Sequence, residues 1–264
     1  MKKNTLLQNP RRFTETIARS DMFLDANTKE NLSQSERLHL GIRLGSQALS
    51  ETLSHEAKAD SLVYRLISTI NDYAKSQATL NEQKEKYASR MERLPHLRKV
   101  IEFNHAVKDL VNYEPTLAFN DLLSFITSFY AGTNHESPEQ ISWFESHVRA
   151  SLDGMRHELA YEQILGQAQL LNDDLEYDEN TTVDDELHGV DYYIKYGEKK
   201  FGIDIKSSHK SCENARQKSN NPEFIVWSHL SWEDFENTFR ISTQLAKNKA
   251  RLILNDLEDA ELAA

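Results

Sequence analysis

A single cysteine, Cys212, excludes an intramolecular disulfide and any zinc cluster built on thiolates. No apolar run approaches the ~20 residues needed to cross a bilayer. The segment from Met1 to Arg12 is basic but lacks the apolar core of a signal peptide, so a cytoplasmic protein is expected. His105 and His135 have no companion histidine at metal-ligand spacing and read as structural or surface residues. The acidic stretch 172–188 lacks the Asp-x-Asp-x-Asp-Gly spacing of an EF-hand. It reads as a flap or a solvated loop, with a strand through Leu175 and Tyr177. No helicase, kinase or methyltransferase signature is present.

What the chain does carry is charge, unevenly spread. Residues 1–100 hold 17 Lys/Arg against 12 Asp/Glu, or +5; residues 101–264 hold 14 against 30, or −16, which together give the net −11. A basic first portion can face a phosphate backbone and an acidic remainder suits a cation, although solvated helix faces explain the same counts. With 39% hydrophobic residues, the 264-residue chain can bury one large core or two of ordinary size.

Residues 10–100 read as helical. Asn71 to Met91 is a polar helix with a thin apolar stripe of Ala74, Ala78, Leu80 and Tyr87, exposed or partner-seeking, and Pro95 ends it. Leu122, Leu123, Phe125, Ile126, Phe129 and Tyr130 are helical core. The turn-rich segment from Ala131 to Pro138 sets a boundary between a helical domain, 1–135, and a second domain, 136–264. Ser137 caps and Pro138 opens a helix that runs toward Leu171, with Val148, Leu152, Met155 and Leu159 as its apolar stripe. Glu158 and Glu162, one turn apart, project in similar directions.

The organising stretch is His188 to Lys206. Aromatic and β-branched residues fill two arms around Gly197-Glu198, the signature of a hairpin with a type II′ turn. That turn makes paired residue numbers sum to 395, so Tyr196 faces Lys199 and Asp191 faces Asp204. Val190, Tyr192, Ile194, Phe201, Ile203 and Ile205 then form an apolar face. Asp191, Tyr193, Lys195, Lys200, Gly202, Asp204 and Lys206 share the other. Carboxylates opposed across a strand pair sit with Cβ atoms about 4.5–5.5 Å apart and repel. A hard divalent ion such as Mg²⁺ or Mn²⁺ would turn that cost into a binding site.

Asp191, twelve intervening residues, and then Asp204-Ile205-Lys206 resemble the PD-(D/E)XK, or restriction-endonuclease-like, nuclease superfamily over roughly residues 144–230. Val190 stands where the motif's name has proline. The resemblance implies a restriction-endonuclease-like αβββαβ core with a mixed sheet, which with the N-terminal all-helical region read from periodicity makes the expected fold class α+β (α/β). It implies Mg²⁺ held by Asp191, Asp204, the carbonyl of Ile205 and a helix glutamate, Glu158 first and Glu162 in reserve. Lys206 then orients or helps deprotonate the attacking water. Double-stranded DNA is the implied substrate, cut by an endonuclease. The N-terminal helices recognise the target or join two protomers into a homodimer.

The later elements agree with that order. A short helix follows Lys206, and Ser207, Ser208, Lys210, Arg216 and Lys218 are candidates for phosphate contact, as is His188 before the hairpin. An apolar strand spans Phe224–Leu230, Ser231 caps the next turn, and a closing helix runs through Ile241, Leu245 and Leu252. Two other readings fit the same residues: a non-catalytic interaction protein using the helical region, and an RNA-directed nuclease on the same fold.

Overall fold

In the computed structural model, the described residues are 20–33, 36–38, 40–42, 44–45, 55–85, 89–134, 137–179, 190–217 and 225–262. Two compact units divide the chain between Ser151 and Leu152.

The first unit contains helices α1 (Ala26–Asn31), α2 (His55–Glu85), α3 (Arg90–Tyr113), α4 (Phe119–Asn134) and the opening turns of α5 (Pro138–Leu171). In α2 the buried residues Ala59, Val63, Leu66, Ile67, Ile70, Tyr73 and Ala74 recur every three or four positions and make one packing face. Tyr73 stacks on Phe103 with centroids 4.2 Å apart, and its hydroxyl donates to the His147 carbonyl at 3.0 Å. Burial pushes the Tyr73 pKa up to about 12. Of the helix from Asn71 expected to be exposed or partner-seeking, Tyr73, Ala74 and Ser76 are buried, and Tyr73 is not part of the stripe read from Ala74, Ala78, Leu80 and Tyr87.

Pro95 does not end that helix either. It lies inside α3, which starts earlier because Ser89 and Glu92 form a reciprocal capping box. Tyr87 and His135 lie outside the described residues or have undescribed side chains. Helix α5 runs without a break through Gly154, capped where Gln140 N–H bonds the Ser137 hydroxyl. The division at Ser151 therefore falls within a helix, C-terminal to the boundary expected at 135/136.

The second unit is α+β. After α5 come β1 (Leu175–Glu179), β2 (Tyr192–Tyr196), β3 (Lys199–Lys206), α6 (His209–Arg216), β4 (Ile225–Trp227), a 3-10 turn (Trp232–Phe235) and α7 (Thr243–Leu262). The four strands form one mixed sheet in the order β1-β2-β3-β4, antiparallel except for the parallel β3–β4 pair. The β2–β3 register pairs Tyr192 with Ile203 and Tyr196 with Lys199, the sum of 395 expected. Gly197 supplies the turn with φ of 58°, a conformation that costs glycine nothing. Tyr192, Ile194, Ile203 and Ile205 pack with Leu159's neighbours Ala160 and Ile164 on α5 and with Ala246 and Ala250 on α7.

Strand β4 is shorter than expected, with Phe224 undescribed and His229 already turned out of the strand. Ser228 N–H donates to the Lys206 carbonyl, so by alternation the Ile225 carbonyl faces away from β3. There it accepts from Arg216 Nε at 3.0 Å and from Cys212 Sγ at 3.6 Å. Among the described residues, no helix is long and apolar enough to cross a membrane.

Candidate functional site

Asp191 stands just before β2, beyond the last residue pair of the β2–β3 ladder. Its own N–H donates to the Ile203 carbonyl at 2.8 Å, and its carboxylate Oδ2 accepts from the Ile205 N–H at 2.6 Å. A side chain thus completes the sheet where a main-chain carbonyl would otherwise serve. Because N–H and C=O leave a strand residue on the same side, the Ile205 carbonyl is also directed toward Asp191.

Asp204 and Lys206, alternating with buried Ile203 and Ile205, occupy the opposite face of β3 from the core. The Lys206 ammonium bonds Asp204 Oδ1. Glu158 reaches this group from α5, and its charge acts on both Asp191 and Lys206. The four residues expected to act together are therefore one electrostatic cluster.

Asp191 keeps a minor share of its surface in contact with solvent, yet its carboxyl is enclosed. Burial raises its pKa well above the usual carboxylate range. Glu158 and Asp204 push in the same direction, and the Ile205 N–H and Lys206 only partly oppose them. Burial alone would lower the Lys206 pKa, but Asp204, Asp191 and Glu158 outweigh it and the net shift is upward. Lys206 is an ammonium ion at neutral pH.

The two glutamates of α5 separate clearly. Tyr192 Oη donates to the Glu158 carbonyl and to Glu162 Oε2, 3.4 Å in each case. Glu162 lines a different place, a cavity of about 290 Å³ bounded also by Gln163, Tyr177 and Arg240. Its charge is not among those acting on Asp191.

As donors, these groups fit a hard divalent ion, since all are oxygens. They do not form a ready coordination sphere, however. Among the described residues, no group of three or more His, Cys, Asp or Glu is arranged to hold a metal ion. Lys206 engages one oxygen of Asp204 and the Ile205 N–H engages one of Asp191. Each carboxylate has a second oxygen.

Two of the candidates for phosphate contact also have partners within the fold. Ser208 caps α6 through a capping box with Ser211, and Arg216 is bonded to Ile225. His188, Lys218 and the flap around 180–189 lie outside the described residues. One buried group passed unnoticed in the sequence. His157, beside Glu158, shares a 2.7 Å hydrogen bond with Ser228 and packs edge-on against Phe235. Burial pulls its pKa down to about 4, with Arg156 acting in the same direction and Asp153 and Asp234 against it. The position carries no motif, and only its place on the inner face of α5 could have marked it. Comparison of the chain with protein-family models, with curated proteins and with solved structures found no match.

Proposed function

We propose that the second unit is a Mg²⁺-dependent nuclease of the PD-(D/E)XK kind that hydrolyses phosphodiester bonds, with double-stranded DNA as substrate. One observation carries the reading: the enclosed Asp191 carboxyl, which accepts the Ile205 N–H and feels the charges of Glu158, Asp204 and Lys206. A strongly shifted buried carboxyl with further acids and an ammonium acting on it is the kind of group found where a cation and a phosphate are handled. The helix, three strands, helix, strand order of a mixed sheet supports the same assignment.

Asp191, Asp204, Glu158 and the Ile205 carbonyl would hold Mg²⁺, with Mn²⁺ as substitute. When bound, the ion polarises the scissile phosphate and makes a coordinated water more acidic. Lys206, kept protonated by its three acidic neighbours, donates hydrogen bonds to phosphate or water and offsets negative charge as it develops; it is not the base. Asp191 has a second task, fixing the Ile205 amide and with it the strand that presents Asp204 and Lys206.

The test is nicking of supercoiled plasmid with Mg²⁺, with EDTA as the control and an RNA digest in parallel. Asp204→Ala and Lys206→Ala should each reduce cleavage by at least about a hundredfold while the far-ultraviolet dichroism stays unchanged. Cleavage at the wild-type rate by both variants would remove these residues from the mechanism.

A further inference from the structure

Past Lys206, the same face of the sheet continues into a cluster of rings that the proposed cleavage chemistry does not use. Lys206 pairs laterally with Trp227 in the parallel ladder, and lateral partners share a face, so Trp227 lies on the Lys206 side. Two imidazoles meet its indole. His209, the first residue of α6, approaches edge-on with centroids 5.3 Å apart, and His229 lies tilted on it at 3.9 Å. His229 holds φ at 52°, the left-handed region that residues with a Cβ adopt at a cost. Lys249 Nζ, from α7, donates to its carbonyl at 2.9 Å and pins this conformation.

Core packing does not require this arrangement, because both imidazoles are exposed. Among the described residues, the charged groups facing the pair are Lys249 and, on α6, Glu213, whose carboxylate is 3.4 Å from His209 Nδ1. With both imidazoles protonated, two imidazolium ions and one ammonium face one carboxylate, a net positive patch in an otherwise acidic unit. Burial, then Lys249 and His209, lower the His229 pKa, a crowding of like charge that an anion would relieve. Lys249 has two further N–H donors to offer.

We propose that His209, His229 and Lys249, ordered around Trp227, form a subsite for a backbone phosphate of the nucleic-acid strand next to the one being cut. The subsite rests on the nuclease reading and adds a phosphate clamp to it, one whose grip depends on imidazole protonation.

The full-length chain is titrated against a short fluorescent duplex in EDTA, at about pH 8 and about pH 6, so that binding is read without cleavage. Wild type should bind more tightly at the lower pH. His209→Gln combined with His229→Asn, which tolerates the left-handed φ, should weaken binding about tenfold at the lower pH and less than about twofold at the higher. Equal affinity of variant and wild type at both pH values overturns the subsite, as does an equal loss at both, which marks a packing role. Heparin bound as tightly as the duplex, with the same pH response, overturns it too by showing general polyanion binding. A wild type that cleaves with Mg²⁺ but lacks the pH response fails only the subsite; one that neither binds nor cleaves fails the nuclease reading as well.

Discussion

Replacing Asp191 with asparagine should make the protein more stable while abolishing its proposed activity. Asparagine keeps an oxygen to accept the Ile205 N–H and removes a charge opposed by burial, Glu158 and Asp204. Relief of an enclosed carboxylate whose burial is only partly offset is worth about 1–3 kcal/mol. At about 2–4 °C per kcal/mol for a chain of this size, the melting temperature rises by several degrees. Asp191→Ala removes the same charge but leaves the Ile205 amide without its acceptor, at a cost of about 1–3 kcal/mol, and so forfeits most of the gain. The pH dependence fixes the cause. A carboxyl whose folded pKa is raised costs nothing below the ordinary aspartate range and progressively more as pH climbs through the raised value. The advantage of Asp191→Asn should therefore be small near about pH 4 and full near about pH 8. Thermal melts followed by circular dichroism in EDTA make the comparison, and Mg²⁺ should narrow the gap by binding wild type alone. An asparagine variant that melts at or below wild type at neutral pH, or a gap indifferent to pH, would refute the electrostatic account.

Two further outcomes follow from the same helix. Glu158→Gln should lose plasmid cleavage by about a hundredfold, and Glu162→Gln should stay within about threefold of wild type, because only Glu158 acts on Asp191 and Lys206. The reverse pattern in a cleavage assay would move the helix carboxylate to Glu162. His157, with a folded pKa of about 4 against 6.5 for an ordinary imidazole, contributes stability that is complete above pH 6.5 and lost as pH falls toward 4. The loss is about 3 kcal/mol. Urea titrations in the Asp191→Asn background, free of the opposing aspartate trend, should show it, and a flat profile there would exclude the effect.

The hairpin was legible because it is local: Gly197 fixes the turn, the turn fixes the register, and alternation then separates Asp204 and Lys206 from Ile203 and Ile205. The neighbourhood of Glu158 and Asp191 also followed, since α5 carries the acid just upstream of the sheet. What sequence spacing could not supply was the competition for each carboxylate oxygen. Lys206 sits on Asp204 and an amide sits on Asp191, details set by tertiary geometry. The Trp227 cluster was equally hidden, because its members come from α6, β4 and α7 and meet only through the parallel crossover. In the helical unit, capping chemistry at Ser89 and Glu92 prevailed over the breaker rule for Pro95, and Tyr73 supplied burial that a count of aliphatic residues passes over.

The outward carbonyl of Ile225 has a bearing on self-association. A terminal strand normally advertises its unused acceptors to any passing chain, and here a guanidinium and a thiol have already claimed one of them. At the far end, β1 displays Glu176 and Asp178, both exposed, and a second copy arriving there would bring the same charges. Both described borders of the sheet thus discourage growth by strand addition.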